Sequence, residues 1–403
     1  MIIRIAWRNI WRHKTRSAVI IASIIFGTWA GLFIQAYLNG MVEDRIRIAI
    51  EKEISHVQIH SQEFQKDYDV NFTIPEGQKI VTVISAFPEV KSVSDRVITR
   101  GMIATANGST GVKINGINPT KESSTTHLET NIIEGNYFTG SATKELVIGE
   151  KLTTKLKLKL KSKVVLTFMD KDNNIVSGAF RICGIFRTKN TPYDESNIFI
   201  KQQDLTELTA TGNEPHEIAI LLHSNNTLNQ TMSKLKTMYP LLKIENWREI
   251  APEMDLVVST TNQSMYIYMG IIMLALAFGI INTMLMAILE RTREIGMLMA
   301  LGLTRINVFK MIFLETLFLV FSGTPPGIFL AWLSTFYFNK VGIDMSVYKE
   351  VYASFGYSDI IYPVLNFRDY RIILELVIST TILASLFPAR RAISLNPADA
   401  IRK

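Results

Sequence analysis

The apolar residues of this chain are concentrated in four long runs, at residues 17–38, 265–289, 308–338 and 371–387. About 20 consecutive apolar residues cross the ~30 Å hydrocarbon core of a bilayer, and no Lys or Arg lies deep inside any of the runs. The pattern therefore predicts four transmembrane helices instead of one large soluble core. Glu315, one turn inside the third run, is expected near the membrane interface.

The basic residues indicate which side of the membrane each segment occupies. The segment 1–16, the loop 290–307 and the tail 388–403 all carry Arg or Lys beside an apolar run. If the four spans alternate, these three segments share one side, and the positive-inside rule makes that side cytoplasmic. The long, charge-balanced segment 39–262 and the loop 339–370 are then outside.

The first apolar run has a second interpretation, a cleavable signal peptide, because it follows a basic start. The run is long for the apolar region of such a peptide, and no clear small-x-small cleavage site follows it. Segment 39–262 is external under either interpretation.

The first sixteen residues predict an amphipathic helix at the membrane surface. Apolar side chains recur at helical spacing on one face, and arginines recur every fourth residue on another. Such a helix places Trp at the headgroup level and Arg toward phosphate or water. The expected interface residues are Trp7, Arg8, Trp11 and Arg12. A topology signal explains the same basic residues and is compatible with this helix; a calmodulin-type target helix would not explain the adjoining span.

The external segment 39–262 has the pattern of a mixed α/β domain. Strand–helix–strand units are predicted over 54–104 and 216–249, and they flank a β-rich piece at about 134–212. The expected fold class is therefore an α-helical membrane protein with four transmembrane helices plus a large α/β extracytoplasmic domain, in which two βαβ-like halves flank a β-rich insert.

No catalytic constellation is visible in the sequence. His56 and His60 alternate with apolar residues in HVQIH, which predicts the solvated face of a strand; paired metal ligands on a helix are the alternative. The segment 149–155, GEKLTTK, lacks the second Gly of a phosphate loop, and neither G-x-S-x-G nor H-E-x-x-H occurs. We expect no catalytic residue, no metal site and no cofactor bound by this chain.

The composition adds two limits. Cys183 is the single cysteine, so no intrachain disulfide can form, and it is expected to be a small buried residue in a strand. The formal net charge of +7 comes with basic residues that adjoin the apolar runs. This placement favours membrane lipid over nucleic acid as a partner.

Three separated segments resemble FtsX/MacB-type (type VII) ABC transporter permeases. The segment ERTREIGMLMALGLTRINVFKMIFLETLFL (290–319) is similar to the family pattern R-x-REIG-x-x-x-ALG followed by a long helix. The tail FPARRAISLNPADAIRK (387–403) is similar to the closing PARRA signature, and IAWRNIWRHKTRS (5–17) to the opening one. One span before the external domain and three after it agree with this family.

The resemblance implies that segment 290–307 is a cytoplasmic coupling helix and loop. In the family this segment contacts an ATPase, and the sequence has none fused to it, so an ATPase pair in trans would carry ATP and Mg²⁺. Ile295, Met299 and Leu303 share one stripe that could dock in a groove of a partner. An ordinary charged hairpin between spans is the alternative. The expected ATPase-coupling residues are Glu290, Arg291, Arg293, Glu294, Ile295, Gly296, Met299 and Gly302.

The layout is most similar to the lipoprotein-releasing LolC/LolE branch. ICGIFRTKNTPYDESNIFIKQQDL (182–205) resembles a segment beside a hairpin that recruits a periplasmic carrier, although Lys189 stands where the family has Gly. The corresponding carrier-binding residues are Pro192, Tyr193 and Asp194. The branch implies a multi-pass protein of the bacterial inner membrane with its large domain in the periplasm, paired with a second copy or a paralogue.

The implied function is a permease that couples ATP hydrolysis by a separate ATPase to release of outer-membrane lipoproteins from the inner membrane. The lipid anchor would enter beside spans one and two, where Gly27, Gly31 and Gly279 permit close helix approach. Two alternatives remain open. One is a mechanotransmission permease that regulates a periplasmic enzyme, and the other is MacB-like export of a small amphiphile.

Overall fold

The structure is a computed structural model that describes residues 2–12, 14–140 and 144–393. The chain divides into two compact units. The helical unit comprises residues 1–42, 258–344 and 360–403, and the α/β unit comprises residues 43–257 and 345–359. Most of the predicted cytoplasmic tail, from residue 394 onward, lies outside the described residues.

The α-helices and β-strands are numbered in chain order. The helices are α1 Ile2–Arg12, α2 Lys14–Ala49, α3 Phe64–Asp67, α4 Gly77–Ser85, α5 Pro119–Thr126, α6 Glu150–Lys155, α7 Thr191–Ser196, α8 Gln202–Thr209, α9 Leu228–Met238, α10 Trp247–Ile250, α11 Pro252–Glu290, α12 Thr292–Ala300, α13 Arg305–Val341, α14 Lys349–Ser354 and α15 Phe367–Ile393. The strands are β1 Val57–Ser61, β2 Val90–Thr105, β3 Gly108–Ile117, β4 Ile132–Gly135, β5 Glu145–Gly149, β6 Lys163–Met169, β7 Ile175–Phe186, β8 Asn197–Lys201, β9 Glu217–Leu222, β10 Leu242–Asn246, β11 Ile343–Asp344 and β12 Ile360–Ile361.

Within the described residues, four helices are long and apolar enough to cross a membrane: those containing α2, α11, α13 and α15. The 36 residues of α2 extend about 54 Å at 1.5 Å per residue, which exceeds the ~30 Å hydrocarbon core. The helix therefore continues beyond Leu38, the predicted end of the first span, as far as Ala49. Helix α11 likewise begins at Pro252, well before the apolar run at Met265.

Two glycines set the close packing of α13 on α2 in the helical unit. A β-carbon placed on Gly323 would lie 2.9 Å from Cβ of Ile24, and one on Gly327 would lie 2.9 Å from the backbone oxygen of Ile25. Both distances are shorter than carbon atoms tolerate, so only glycine permits this approach. The spacing is the small-x-x-x-small pattern that brings membrane helices into contact.

The first part of the α/β unit is a four-stranded antiparallel layer in the order β10–β1–β9–β2. Helix α4 lies between β1 and β2 in the chain, and α9 lies between β9 and β10. Apolar side chains from both helices and from the strands form one buried cluster, which includes Ile59, Ile84, Ile220 and Leu235. The two predicted strand–helix–strand units are confirmed, and they interleave in a single layer.

The second part of the α/β unit is a closed ring of six strands. Strands β2, β3, β8, β5 and β7 follow one another, and β6 pairs with both β7 and β2 to close the ring. Val97, Ile103, Ile148 and Phe180 belong to the cluster of buried side chains that joins these strands. The β-rich part therefore begins before the predicted position of 134, because β2 and β3 supply two of its strands. Cys183 lies in β7 and is half-buried.

The prediction that His56 and His60 face solvent is wrong, because both side chains are buried. Phe64 of α3 stacks on the His60 ring with the ring centroids 5.9 Å apart, so this helix covers the polar face of β1. Nδ1 of His56 accepts a hydrogen bond from the backbone N–H of Leu222 at 3.1 Å. Burial, with a contribution from Lys91, lowers the pKa of His56 to about 4, so this ring is neutral at pH 7.

A buried arginine, Arg96, joins three elements of the α/β unit. Its Nη2 lies 2.7 Å from Oε1 of Glu122 in α5, and its Nη1 lies 2.5 Å from Oε1 of Glu217 in β9. Burial acts to lower the pKa of Arg96, but the two carboxylates outweigh it and hold that pKa above its ordinary value. Burial likewise favours neutral Glu217, yet Lys113 and Arg96 hold its pKa well below its ordinary range. Arg96 is thus paired with two carboxylates inside the α/β unit.

Candidate coupling site

The segment between the second and third long helices folds as the short helix α12. It begins after Arg291 and ends at Ala300. Gly302 follows with φ of +98°, a left-handed conformation that glycine adopts without the steric cost of a β-carbon. Helix α13 then begins at Arg305. The glycine turn thus reverses the chain between α12 and the next long helix.

A buried ion pair holds the start of α12 against α13. Nη1 of Arg291 lies 3.5 Å from Oε1 of Glu315, and Nε of the same arginine lies 3.2 Å from Oε2 of Glu294. Asn9 of α1 donates a hydrogen bond of 2.5 Å to the same oxygen of Glu315. Both Arg291 and Glu315 are buried. One carboxylate in α13 therefore binds side chains from α1 and from the junction of α11 and α12.

Two outer ion pairs surround this buried pair. Arg12 of α1 lies 3.3 Å from Glu294 of α12, and Arg16 at the start of α2 lies 3.4 Å from Glu290 at the end of α11. Exposed pairs of this kind contribute about 0–1 kcal/mol each, so they orient the helices more than they stabilise them. Arg293 is exposed. We name Asn9, Arg291, Glu294 and Glu315 the coupling cluster.

A cavity of about 510 Å³ adjoins the coupling cluster inside the helical unit. Its walls include Asn9 of α1, Ile288 of α11, Leu298 of α12 and Ile312 of α13. Glu315 also lines it. The four helices therefore meet around open space on one side of the cluster, which leaves room for α12 to shift.

The prediction that Ile295, Met299 and Leu303 offer a stripe to a partner is wrong. Ile295 is buried in the core of the helical unit, and Met299 and Leu303 pack against that core. Gly296 is buried as well. This apolar stripe faces inward because it covers the ends of α11 and α13, which would otherwise expose their own apolar side chains.

The exposed surface of the coupling segment carries different apolar residues. Met297 is 46% exposed, Leu301 86% and Ile306 67%. Met297 lies two residues from both Ile295 and Met299, and two residues correspond to about 200° around a helix. The spacing of Arg293, Met297 and Leu301, every fourth residue, was the signal in the sequence for this second face. We name Met297, Leu301 and Ile306 the apolar ridge.

Helix α1 is present where the amphipathic pattern predicted it. Its buried face consists of Ala6 and Ile10, whereas Trp7, Arg8 and Trp11 are exposed. The Trp7 ring contacts Phe318 of α13 edge-on, with centroids 5.4 Å apart. The face opposite the core thus carries aromatic and basic side chains together, the arrangement suited to a membrane interface.

The three glycines predicted to permit close helix approach differ in their surroundings. Gly27 and Gly31 of α2 face side chains of α11 at ordinary contact distances, the nearest atoms being Leu276 Cδ1 at 3.5 Å and Met269 Sδ at 3.5 Å. A β-carbon on Gly279 would meet nothing within 4 Å in the described chain. The tighter glycine contacts are those of Gly323 and Gly327 of α13 against α2. The sequence interpretation missed them, although their spacing was visible.

The prediction of a carrier-binding hairpin at Pro192, Tyr193 and Asp194 is wrong in its geometry. These residues lie on the short helix α7, and Asp194 is buried. Asp194 accepts hydrogen bonds from the backbone N–H and the hydroxyl of Thr188. Pro at the first turn and the Asn190 cap start a helix here instead of a hairpin.

Known proteins resemble this chain in the segment that contains the coupling helix and along most of its length. Residues 266–397, which contain α12 and the coupling cluster apart from Asn9, match the FtsX-like permease C-terminal family. LolC, the lipoprotein-releasing system transmembrane protein of Neisseria meningitidis serogroup B, is 22% identical over 95% of this chain and 93% of its own length. The macrolide export ATP-binding/permease protein MacB of Campylobacter jejuni is 32% identical over 31% of this chain and 17% of its own length.

Two solved structures share similarity at low identity. The periplasmic region of MacB from Actinobacillus actinomycetemcomitans is 14% identical, with a TM-score of 0.35, and covers 56% of this chain and 95% of its own. The extracellular domain of the transporter YknZ from Gram-positive bacteria is 16% identical, with a TM-score of 0.34, and covers 47% of this chain and 99% of its own.

The family consists of permease subunits of ABC transporters, which are generally not catalytic, work with ABC ATPases and often dimerise. Three observations agree with a permease subunit. They are the short helix between two long apolar helices, the matched C-terminal family and the resemblance to LolC along nearly the whole chain. The chain therefore carries an FtsX-like permease domain over residues 266–397 and resembles the permease LolC along nearly its whole length.

Proposed function

We propose that this chain is the transmembrane subunit of a machine that releases lipoproteins from the bacterial inner membrane. The observation that carries the proposal is the extent of the LolC resemblance, 95% of this chain. It includes the external α/β unit as well as the spans. The MacB resemblance spans 31% of the chain, so it bears on a smaller part of the molecule.

In this proposal a separate ATPase pair docks on the apolar ridge. Large apolar side chains that remain exposed beside basic residues suit a protein partner better than water. Met297, Leu301 and Ile306 would enter an apolar groove of the ATPase, and Arg293 and Arg305 would lie at its rim. ATP and Mg²⁺ would bind to the ATPase, and this chain would bind neither.

The coupling cluster would pass the movement of the ATPase into the spans. Because Glu315 binds Asn9 and Arg291, a displacement of α12 pulls on α1 and α13 together. Helices α2 and α11 are continuous from their apolar runs into the segments that enter and leave the α/β unit. Movement of the spans would therefore reach that unit through these two helices.

The remaining parts of the machine follow from the same proposal. The α/β unit would lie in the periplasm and hand the lipoprotein to a carrier, and a second copy or a paralogue of this chain would complete the permease pair. The lipid anchor would leave the bilayer beside α2 and α11, near Gly27 and Gly31. Nothing in α7 supports Pro192 or Tyr193 as the carrier contact, so another surface would serve.

Depletion of the chain in its native cell tests the cargo. We expect mature lipoproteins to accumulate in the inner membrane fraction, measured by fractionation and immunoblotting. Normal lipoprotein sorting would refute the proposal. Sensitivity to macrolides with normal sorting would instead favour export of a small amphiphile, and a defect confined to cell-wall cleavage would favour a regulatory permease.

The substitution Leu301→Asp tests the docking surface. A charge in the middle of an apolar interface should weaken binding of the ATPase at least about tenfold, measured by co-purification and by titration of the ATPase on immobilised permease. Leu241→Asp is the matched control, because Leu241 is 84% exposed but lies in the α/β unit. Unchanged ATPase binding by Leu301→Asp would remove the apolar ridge as the docking surface.

A further inference from the structure

A groove of about 710 Å³ lies entirely within the α/β unit and has no role in the mechanism above. Segments 44–52, 187–194 and 349–359 supply most of its walls. Six basic and six acidic side chains line it, so its formal charge is balanced. A ligand with charge of only one sign gains little from such a lining, whereas a zwitterion can use both kinds of side chain.

Two buried polar atoms in this groove have no hydrogen-bond partner in the described part of the chain. Asp44 is 8% exposed; one of its oxygens accepts from Arg47, and Oδ2 is unpartnered. Oδ1 of Asn131 accepts a hydrogen bond of 2.5 Å from Lys52, and Nδ2 of Asn131 is unpartnered. Buried polar atoms are normally satisfied, so this acceptor and this donor beside one groove call for a partner from outside the described chain.

In the part of the chain that the structure describes, the ammonium group of Lys52 has no carboxylate partner. Among the described residues its hydrogen bond goes to the neutral amide of Asn131, and it forms no ion pair. Lys189 is the cation that repels it and Glu51 the anion that attracts it. Lys189 itself lies 3.6 Å from Asp359. An oxyanion beside Lys52 and Nδ2 of Asn131 would satisfy both donors with charge-assisted hydrogen bonds.

We propose that this groove binds a phosphoethanolamine headgroup of a membrane lipid. The phosphate accepts hydrogen bonds from Lys52 and from Nδ2 of Asn131, and the ammonium group donates to Oδ2 of Asp44. Both halves of the headgroup thus meet a group that the chain leaves unsatisfied.

The position of Asp44 in the chain points to a lipid as the source of the headgroup. Asp44 lies on α2, the same uninterrupted helix as the first apolar run. The rise from Leu38 to Asp44 is about 9 Å at 1.5 Å per residue. The polar layer adds about 5–7.5 Å on each side of the hydrocarbon core, so Asp44 lies just outside that layer. A lipid that moves outward by about 2–4 Å can present its headgroup to Asp44 while most of its acyl chains stay in the membrane.

Native mass spectrometry of the full-length chain in detergent tests this assignment with three short-chain lipids. The probes are dihexanoyl phosphatidylethanolamine, phosphatidylglycerol and phosphatidylcholine. Phosphatidylglycerol lacks the ammonium group, and phosphatidylcholine has an ammonium group that cannot donate a hydrogen bond. We expect phosphatidylethanolamine to bind about tenfold more tightly than either of the others. Equal affinity for the three lipids would overturn the proposal.

Two substitutions separate the halves of the site. Lys52→Gln should weaken phosphatidylethanolamine and phosphatidylglycerol binding alike, and Lys52→Arg should retain both, which also shows that position 52 tolerates change. Asp44→Asn should abolish the preference for phosphatidylethanolamine and leave phosphatidylglycerol unaffected. Lys171→Gln, an exposed lysine at the β6–β7 turn, is the matched control. A Lys52→Gln variant that binds all three lipids as the control does would refute the phosphate contact.

Competition experiments identify the source of the headgroup. Free O-phosphoethanolamine that binds as tightly as the short-chain lipid would overturn the assignment to a lipid. Binding of the tetrapeptide Lys-Asp-Lys-Asp, with no binding of any of the three lipids, would assign the groove to a peptide and overturn the proposal as well. These measurements need neither ATPase nor lipoprotein, so failure of headgroup binding and failure of lipoprotein release are distinguishable.

Discussion

Each of the two units buries an arginine between carboxylates, and the two arginines differ in how closely their nitrogens approach the carboxylate oxygens. Arg96 in the α/β unit makes close hydrogen bonds, of 2.5 to 2.9 Å, to Glu122 and Glu217. Arg291 in the helical unit lies 3.2 Å from Glu294 and 3.5 Å from Glu315. The first arginine bonds to carboxylates through all three of its nitrogens, whereas the second is held by longer contacts beside a cavity.

The difference follows from what each arginine connects. Arg96 and Glu217 face each other in the register of β2 and β9, so backbone hydrogen bonds already fix their separation. Arg291, Glu315 and Asn9 belong to helices that share no backbone hydrogen bonds, because a helix satisfies its own. The Arg96 group therefore locks a scaffold. The coupling cluster ties helices together but leaves them free to shift.

The largest effect is expected where the arginine is locked. Arg96→Met would leave two buried carboxylates without their partner, which costs about 3–5 kcal/mol. Fluorescence of the buried Trp247 in the α/β unit should report a much lower unfolding midpoint in denaturant. Arg181→Met, at an exposed position in β7, should leave the midpoint unchanged. A stable Arg96→Met protein would show that strand pairing alone holds this unit.

A smaller effect is expected at Asp194, a buried carboxylate whose neighbour Arg187 forms its ion pair with Glu150 instead. Burial raises its pKa to about 7, against hydrogen bonds from Thr188 and with the help of Glu53. The folded chain thus keeps a proton that the unfolded chain releases near pH 4. Its contribution to stability is fully present below about pH 4 and is lost as pH rises through about 7, a loss of about 2 kcal/mol between pH 5 and 8.

The substitution Asp194→Asn keeps an oxygen for the Thr188 hydrogen bonds and removes the titration. We expect its unfolding midpoint to change less between pH 5 and 8 than that of the unsubstituted chain. Asp172→Asn, at the exposed β6–β7 turn, should retain the full dependence. Parallel pH profiles for the Asp194→Asn and unsubstituted proteins would contradict the assignment of this proton to Asp194.

The smallest effect is expected in the coupling cluster. Glu315→Gln keeps an oxygen for Asn9 and removes the charge that faces Arg291, so the helices should stay together with a weaker link. Substrate-stimulated ATP hydrolysis by the assembled complex should fall about threefold, while unfolding of the α/β unit stays the same. Glu375→Gln is the control, because that carboxylate is exposed and lies 3.9 Å from Arg371. Full stimulation in Glu315→Gln would remove the cluster from the coupling path.

Local patterns in the sequence determined a large part of this fold. Four apolar runs, the short helix after Glu290 with Gly302 at its end, and two strand–helix–strand units all follow from composition and period within a few tens of residues. These features need only the nearest neighbours in the chain, because apolar length, helical spacing and the freedom of glycine are local properties.

Only the tertiary structure decided which surfaces these elements present. The sequence placed Ile295 and Met299 on one stripe correctly, but packing of α12 on α11 and α13 turned that stripe inward and left Leu301 outside. His60 was assigned to solvent because alternation in β1 says nothing about a helix, α3, that covers its polar face. Closure of the six strands pairs residues more than sixty positions apart, such as Met102 with Thr167, and Arg96 pairs with Glu217 at a separation of 121 positions. Burial and pairing of this kind depend on which distant segments meet, and no local period encodes that choice.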